Sequence, residues 1–308
     1  MKSSMLPSFS FQSTGPPTCS GWSSRPSCDM VLRGKCYFKG AIALFLTVVV
    51  AATAAPRLDG ATLMRALTSP KNGEEYTLYI YVPENLGNFE YRYPVVYLLD
   101  GDTHFSGIQK RTAEKISEFK LPMLMIVGIG YGDGKNARKR DYTPTFLRGY
   151  EGSGGVRPFL DFVRREVVPY VDNNFRTVAS PGGRCLAGHS LGGLTVLYAM
   201  LHHRDLFGKF ISVSPALWWD GELFFKMNMN FSDISAKDPV RLHVSNGALE
   251  DPYMDASARR YIAILKGRAY GRLMVRYELI PEKNHDSVVI PALDEGIDFI
   301  FRRQRRGP

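Results

Sequence analysis

Cysteine is scarce in this 308-residue chain, and its distribution excludes one way of stabilising a fold. Three of the four cysteines lie within the first 36 residues, which leaves Cys185 as the one cysteine of the remaining sequence. A lone cysteine cannot form an intramolecular disulfide there, and within an apolar segment it is typical of a small buried hydrophobic residue. Since a domain of this size needs no disulfide, the scarcity does not exclude export.

A strong charge of either sign is missing from the body of the chain. The formal net charge is +9, but the first 54 residues contribute +4 and the four arginines after residue 301 contribute another +4. The remaining sequence therefore carries a net charge of only +1, which argues against the basic face of a nucleic-acid-binding protein. We interpret the arginine-rich end as a solvated helix end that complements the helix dipole.

The apolar stretch at residues 41–52 is too short to span a membrane, which takes about 20 residues. A basic segment beginning at Met30 precedes it, and small residues follow it, as in a secretory signal cleaved between Ala54 and Ala55. We therefore expect a leader at 1–54, with Met30 as the true start of translation, and a folded domain at 55–308. The expected location is secreted or periplasmic, without stable membrane association after cleavage. An uncleaved anchor and an organelle transit sequence are the alternatives.

Short apolar segments alternate with amphipathic ones along the rest of the chain. Strands are predicted at 75–82, 94–99, 123–129, 184–187, 209–213, 240–245 and 273–280. Helices are predicted at 106–118, 159–171, 193–200, 222–229, 255–266 and 286–303. Because continuous apolar strands are typical of sheets covered on both faces, we expect a single α/β domain with a mostly parallel central sheet.

The segment Gly188–Gly192 has the sequence GHSLG and lies between an apolar strand and a helical segment. This G-x-S-x-G pattern is typical of the nucleophile elbow of the α/β-hydrolase fold, in which a serine occupies a sharp strand-to-helix turn. Glycines flank the serine because a β-carbon there would collide with neighbouring backbone. We therefore predict Ser190 as the nucleophile.

An activated serine needs a base and an acid, which in this fold follow it in the order acid, then histidine. Of the four later histidines, His202 and His203 end the elbow helix and His243 lies within a strand. His285 follows a strand, in a loop at the edge of the sheet where ligands bind, and is the predicted base. The acid is predicted as Glu250, with Asp251 as the alternative.

An oxyanion hole requires two backbone N–H donors, one from the residue after the nucleophile and one from the loop after an earlier strand. Leu191 supplies the first in this prediction. The amide of Asp102 is the candidate for the second, with Gly101 as the alternative, and the aspartate side chains of this turn are interpreted as turn formers. His104, two residues further on, is a candidate substrate contact.

Together these motifs resemble the branch of the α/β-hydrolases that includes esterase D and the enterobactin and salmochelin trilactone esterases. The resemblance covers roughly residues 70–302 and rests on 97–102, 127–131, 140–144, 186–193, 214–219 and 284–285. It implies a serine esterase with no metal and no cofactor that acts on a small-molecule ester. Some trilactone esterases use only serine and histidine, so a full triad and a dyad both remain open here.

By the same resemblance, the Arg-Asp-Tyr-Thr-Pro loop lines the entrance of the site, which makes Arg138 and Arg140 candidate substrate contacts. Trp218 and Trp219 begin a segment that mixes aromatic and charged residues on the other side of the entrance. Such walls favour a polar or aromatic ester, such as a siderophore lactone, over a long-chain lipid. Acyl transfer and a catalytically silent binding protein are the alternative functions, and the oligomeric state stays open.

Overall fold

The computed structural model describes residues 61–84, 90–132, 135–227, 239–267 and 272–302, so the predicted leader at 1–54 lies outside the described residues. Eight strands occur in the described part of the chain: β1 Thr62–Thr68, β2 Glu75–Tyr81, β3 Val95–Leu99, β4 Met125–Gly130, β5 Arg184–His189, β6 Lys209–Val213, β7 Val240–Gly247 and β8 Leu273–Ile280. They form one sheet in the order β1-β2-β4-β3-β5-β6-β7-β8.

The helices within the same described ranges are α1 Gly101–Ser117, α2 Arg138–Asp141, α3 Val156–Phe162, α4 Val168–Asn174, α5 Leu191–His202, α6 Trp219–Lys226, α7 Pro252–Gly267 and α8 Val289–Phe301. A π-helical turn, Val163–Val167, joins α3 to α4, which together replace the single helix predicted at 159–171. A short 3₁₀ turn, Pro181–Gly183, precedes β5.

Strands β4, β3, β5, β6, β7 and β8 run parallel to one another, whereas β1 and β2 are antiparallel additions at one edge, with β2 paired to β4. The central strands β3, β4 and β5 are buried along their whole length, which is why they read as continuous apolar runs. The carboxyl ends of these parallel strands lie at one edge, and the turns that follow them carry the predicted site residues.

Side chains of β3 alternate between two hydrophobic cores, one on each face of the sheet. Val95, Tyr97 and Leu99 pack into the larger core with residues of α3, α4, α5 and α7. Val96 and Leu98 pack into the smaller core with residues of α1 and α8. The prediction of an α/β-hydrolase sheet with helices on both faces is confirmed.

The structure differs from the sequence prediction mainly at element boundaries. Helix α1 begins at Gly101 instead of residue 106, because Asp100 adopts the left-handed conformation (φ 54°) and turns the chain directly out of β3. Strand β1 was not predicted, since as an edge strand it is largely exposed and shows no apolar alternation. Helix α6 spans Trp219–Lys226, but Asp220, Gly221 and Glu222 have left-handed backbone (φ 48°, 58° and 61°), so its regular part follows residue 222, where the predicted helix starts. The predicted end at 228–229 lies outside the described residues.

Candidate active site

Ser190 occupies a strained turn between β5 and α5. Its backbone has φ 59° and ψ −115°, a conformation that L-residues rarely adopt and that clusters at functional sites. A β-carbon at Gly188 would lie 2.7 Å from the backbone of Gly192, and one at Gly193 would lie 2.8 Å from the carbonyl oxygen of Val213. The glycines of the motif therefore let α5 pack against β5 and β6 closely enough to present the serine at the sheet edge.

Glu250 and His285 are brought together from the ends of two neighbouring strands. Glu250 follows β7 and His285 follows β8, and Glu250 Oε2 lies 3.0 Å from His285 Nδ1. The other carboxylate oxygen, Oε1, accepts hydrogen bonds from Ser214 Oγ at 2.5 Å and from the Gly247 amide at 2.6 Å. Both oxygens are thus occupied, which fixes the carboxylate relative to the imidazole.

The alternative acid, Asp251, has a different role. Its Oδ1 accepts a hydrogen bond from the Tyr253 amide at 2.8 Å, at the start of α7, which is the contact of a helix-capping aspartate. Of the two predicted carboxylates, the structure pairs Glu250 with the histidine.

The charge of Glu250 is stabilised although its side chain is only 2% exposed. Burial raises the pKa of this carboxyl, but hydrogen bonds from His285, Ser214 and the Gly247 amide outweigh it, so the pKa lies below its ordinary value. Glu250 is therefore an anion at neutral pH. His285, by contrast, has a side chain that is 41% exposed and faces a cavity.

That cavity has a volume of about 570 Å³ and opens at the carboxyl ends of the strands. Ser190 and His285 both line it, as do the predicted residues Asp102, His104 and Arg138. Further lining residues, not predicted, are Asp100, Thr103, Tyr131, Gly132, Lys135, Asn136, His189 and Asp286. Within the described residues no hydrogen bond joins Ser190 to His285, and such contacts are often long in unliganded sites.

The two predicted oxyanion donors belong to the first turns of two helices. Leu191 is the first residue of α5, and Gly101 and Asp102 are the first residues of α1, where backbone N–H groups have no partner within the helix. The Asp102 carboxylate accepts hydrogen bonds from the amides of Tyr131 at 2.7 Å and Gly132 at 3.1 Å. It thereby fastens the end of β4 to α1, a long-range contact in place of the local turn-forming role that was predicted for this side chain.

The structure separates the two arginines that were predicted together. Arg138 lines the cavity and forms an ion pair with Asp100. Arg140 instead binds Glu74 at 2.8 Å and Asp141 at 2.7 Å and is not among the cavity-lining residues, which corrects its prediction as a substrate contact. Side chains two positions apart on the short helix α2 point in different directions.

The tryptophan prediction needs correction at Trp219. Trp219 is fully buried and donates a hydrogen bond from Nε1 to Thr145 Oγ1 at 3.1 Å, so it is a core residue in this structure. Trp218 is 37% exposed and packs beside Tyr150, with ring centroids 5.9 Å apart. Neither side chain lines the described cavity.

His189 is a site residue that the sequence prediction missed, although it lies within the GHSLG motif. Its ring lies between those of His285 and His104, at centroid distances of 4.5 Å and 6.1 Å, and is almost completely buried. Burial, followed by the neighbouring His285, His104 and Arg138, lowers the pKa of His189 to about 3. A neutral imidazole therefore packs against the predicted base.

Among the described residues, no group of three or more His, Cys, Asp and Glu side chains is arranged to hold a metal ion.

In the described part of the chain, no helix is both long enough and apolar enough to span a membrane.

The family model described as "Putative esterase" matches residues 69–286. The chain belongs to this esterase family, as the resemblance of its motifs predicts, and it is a serine ester hydrolase.

Individual relatives agree with that class. The chain is 29% identical over 210 residues to the ferri-bacillibactin esterase BesA of Bacillus subtilis (strain 168), covering 61% of this chain and 71% of the relative. It is 26% identical over 250 residues to the siderophore enterobactin esterase of Emericella nidulans, covering 67% of this chain and 81% of the relative. Among solved structures, the BES protein from Bacillus cereus matches with a TM-score of 0.71 and 26% identity, covering 78% of this chain and 94% of that one.

Proposed function

We propose that Ser190, His285 and Glu250 form the catalytic triad of this esterase. The observation that carries the proposal is the 3.0 Å contact between Glu250 and His285 at the wall of the cavity that Ser190 also lines. A buried carboxylate on Nδ1 fixes the imidazole tautomer, so that Nε2 is free to accept the serine proton. Acid, base and nucleophile come from the ends of β7, β8 and β5, which are positions that a rigid sheet holds in place.

In the proposed reaction, Ser190 Oγ attacks the ester carbonyl while His285 Nε2 takes its proton. The amides of Leu191 and Asp102 stabilise the oxyanion. The bond between the acyl carbon and the alkoxy oxygen then breaks, the alcohol leaves with the proton from His285, and an acyl-enzyme remains. Water, deprotonated by the same histidine, hydrolyses this intermediate and releases the carboxylic acid.

For the substrate, we propose a siderophore ester. The relatives reported above are named as esterases of ferri-bacillibactin and enterobactin, which supports hydrolysis over acyl transfer. The cavity is lined by polar, imidazole and phenol side chains, by three aspartates and by Lys135 and Arg138, a surface suited to polar groups. Its volume of about 570 Å³ is within the range of about 300–1,000 Å³ typical of small-molecule sites.

The test is a substrate panel with the purified domain: ferric and iron-free catecholate trilactones, short chromogenic acyl esters and emulsified triglyceride. We expect the highest kcat/KM on a trilactone, with carboxylic acid and alcohol as products and no activity in Ser190→Ala. A preference for triglyceride would reject the siderophore proposal. Transfer of the acyl group to an added alcohol in preference to water would reject hydrolysis as the reaction.

We propose further that the chain is exported and cleaved between Ala54 and Ala55, since a basic segment, an apolar core and small residues precede that bond. N-terminal sequencing and intact mass of the protein from the source cells test this proposal. A form that retains residues 48–52 would indicate an anchor instead.

A further inference from the structure

Arg138 is held by the protein itself. Its Nε donates to Asp100 Oδ1 at 3.0 Å and its Nη2 to Asp100 Oδ2 at 3.2 Å, so two donors of the guanidinium engage both oxygens of one carboxylate. The side chain of Asp100 is 10% exposed and that of Arg138 is 28% exposed. Such bidentate pairs combine strength with a defined geometry. This geometry leaves Arg138 poorly placed to offer the same two donors to a substrate.

Asp100 lies at the point where β3 becomes α1. Its left-handed backbone turns the chain, and its carbonyl oxygen accepts the amides of Thr103 and His104 at 3.0 Å and 3.1 Å. The next residue, Gly101, packs so closely on β4 that a β-carbon would lie 2.7 Å from the backbone of Gly128. The direction of the amides of Gly101 and Asp102 therefore depends on how Asp100 is held.

Arg138 also reaches the nucleophile elbow. Its Nη2 lies 3.5 Å from the carbonyl oxygen of His189, the residue before Ser190. The guanidinium lies over the ring of Tyr142, 5.7 Å from the centroid, and the Tyr142 hydroxyl accepts the Asp100 amide at 3.1 Å. Arg138 is the first residue of α2 and Tyr142 directly follows its end. Both contact Asp100, and Arg138 also contacts the carbonyl of the elbow.

We propose that the Arg138–Asp100 pair is a positioning device that holds the β3–α1 turn against the nucleophile elbow and so aligns the two halves of the oxyanion hole. The inference rests on the proposed function, because the amides that it aligns are those assigned to the oxyanion. It gives Arg138 a role that acts through Asp100 and the His189 carbonyl, not through contact with the substrate. Arg138 keeps the charge needed for this role: burial lowers its pKa, but the ion pair with Asp100 and the neighbouring Tyr142 and Tyr131 raise it, so that the pKa lies above its ordinary value.

A positioning role and a substrate-binding role of Arg138 differ in which kinetic parameter they change: the first lowers kcat, and the second raises KM. With p-nitrophenyl acetate, a small neutral ester with no group for a guanidinium to bind, we expect Arg138→Lys and Arg138→Gln to lower kcat by about 10-fold to 10²-fold, with KM within about twofold. Losing a whole oxyanion donor costs about 10²-fold to 10³-fold, so a misaligned one costs less. Lysine keeps the charge but not the fork, so charge alone does not rescue kcat.

A second measurement reports the oxyanion hole directly. An alkyl boronic acid forms a tetrahedral adduct with an active serine, whose oxygen occupies the oxyanion site. Its Ki is expected to rise in Arg138→Lys by about the same factor as kcat falls. Lys139→Gln, which removes an exposed positive charge from the same helix, is the matched control and is expected to leave both values unchanged. Each rate is divided by the concentration of Ser190 titrated with a fluorophosphonate, so loss of folded protein does not count as loss of activity.

The pair is tested by a double-mutant cycle. Asp100→Asn, Arg138→Gln and the double variant are expected to lose similar amounts of kcat, since either change alone releases the turn. Additive losses, or an unchanged kcat with KM raised only for anionic esters, would overturn the positioning role. If the proposed triad itself is wrong, Ser190→Ala remains active, a result that none of the Arg138 variants can imitate.

Discussion

The two walls of the cavity are built on opposite principles. On the wall formed by the ends of β7 and β8, a buried carboxylate contacts Nδ1 of an imidazole whose side chain is 41% exposed. On the wall formed by β3, α1 and α2, the charged side chains that line the cavity are matched within the protein: Arg138 with Asp100, and the Asp102 carboxylate with two backbone amides. In the proposed reaction, the first wall carries the base that accepts the serine proton, and the second remains fixed while a substrate oxygen changes charge beside it.

The largest effect is expected from removing the proposed nucleophile or the proposed base. Ser190→Ala or His285→Ala is expected to lower kcat/KM for ester hydrolysis by about 10⁴-fold or more, because each removes a group on which the covalent step depends. Steady-state kinetics with circular dichroism as the folding control measure it. Turnover close to wild type in either pure variant would refute the mechanism.

A smaller effect is expected from the acid. Glu250→Gln keeps the shape but removes the charge next to His285 Nδ1, and is expected to lower kcat by about 10²-fold to 10³-fold. Asp251→Asn is the matched control, since its carboxylate caps α7, and kcat is expected to change less than about twofold. The reverse order would assign Asp251 as the acid, and near-wild-type activity in both would indicate a serine–histidine dyad.

How much of each wall could be predicted from the sequence depends on how far apart in the sequence its contacting residues lie. The elbow and the acid–base order were predictable, because they depend on a local motif and on positions just after predicted strands. The pairing of Arg138 with Asp100 joins residues 38 positions apart. It also depends on helix α2, whose four residues are too few to show a helical pattern of apolar residues. The burial of Trp219 likewise depends on Thr145, 74 positions away. Local signals carried no information on either contact.

His189 lies beside His285 of one wall and His104 of the other, and it is expected to make the stability of the protein depend on pH. Its pKa is lowered from 6.5 to about 3 in the folded protein, so the unfolded chain binds its proton more readily. Stability from this group is therefore complete above about pH 6.5 and is lost as the pH falls from there toward 3. His189→Phe keeps an aromatic ring but removes the titration. We expect the fall in Tm between pH 7 and pH 5 to be smaller in this variant than in the wild type.

Two controls accompany that measurement. His202→Phe changes a histidine that is less buried and lies at the far end of α5, and is expected to flatten the Tm profile less. Differential scanning calorimetry at several pH values gives both curves. Parallel curves for wild type and His189→Phe would show that His189 does not titrate in this way. Because the pKa of Glu250 is lowered from 4.5, its contribution to stability is lost mainly below pH 4.5, outside the range from pH 7 to pH 5 that is compared here.

The smallest effect is expected from Lys135, at the entrance of the cavity, and it concerns KM. Lys135 is exposed and lines the cavity, so unlike Arg138 its ammonium group is positioned to meet an anionic group of the substrate. Exposed charge pairs contribute at most about 1 kcal/mol, so Lys135→Gln is expected to raise KM for an anionic ester by up to about fivefold. With p-nitrophenyl acetate KM and kcat are expected to stay the same, and raising the salt concentration should erase the difference between the two proteins. Equal changes of KM and kcat on the neutral and the anionic ester would assign Lys135 a positioning role like that of Arg138. Lys135 would then belong to the fixed wall and not to a substrate-binding entrance.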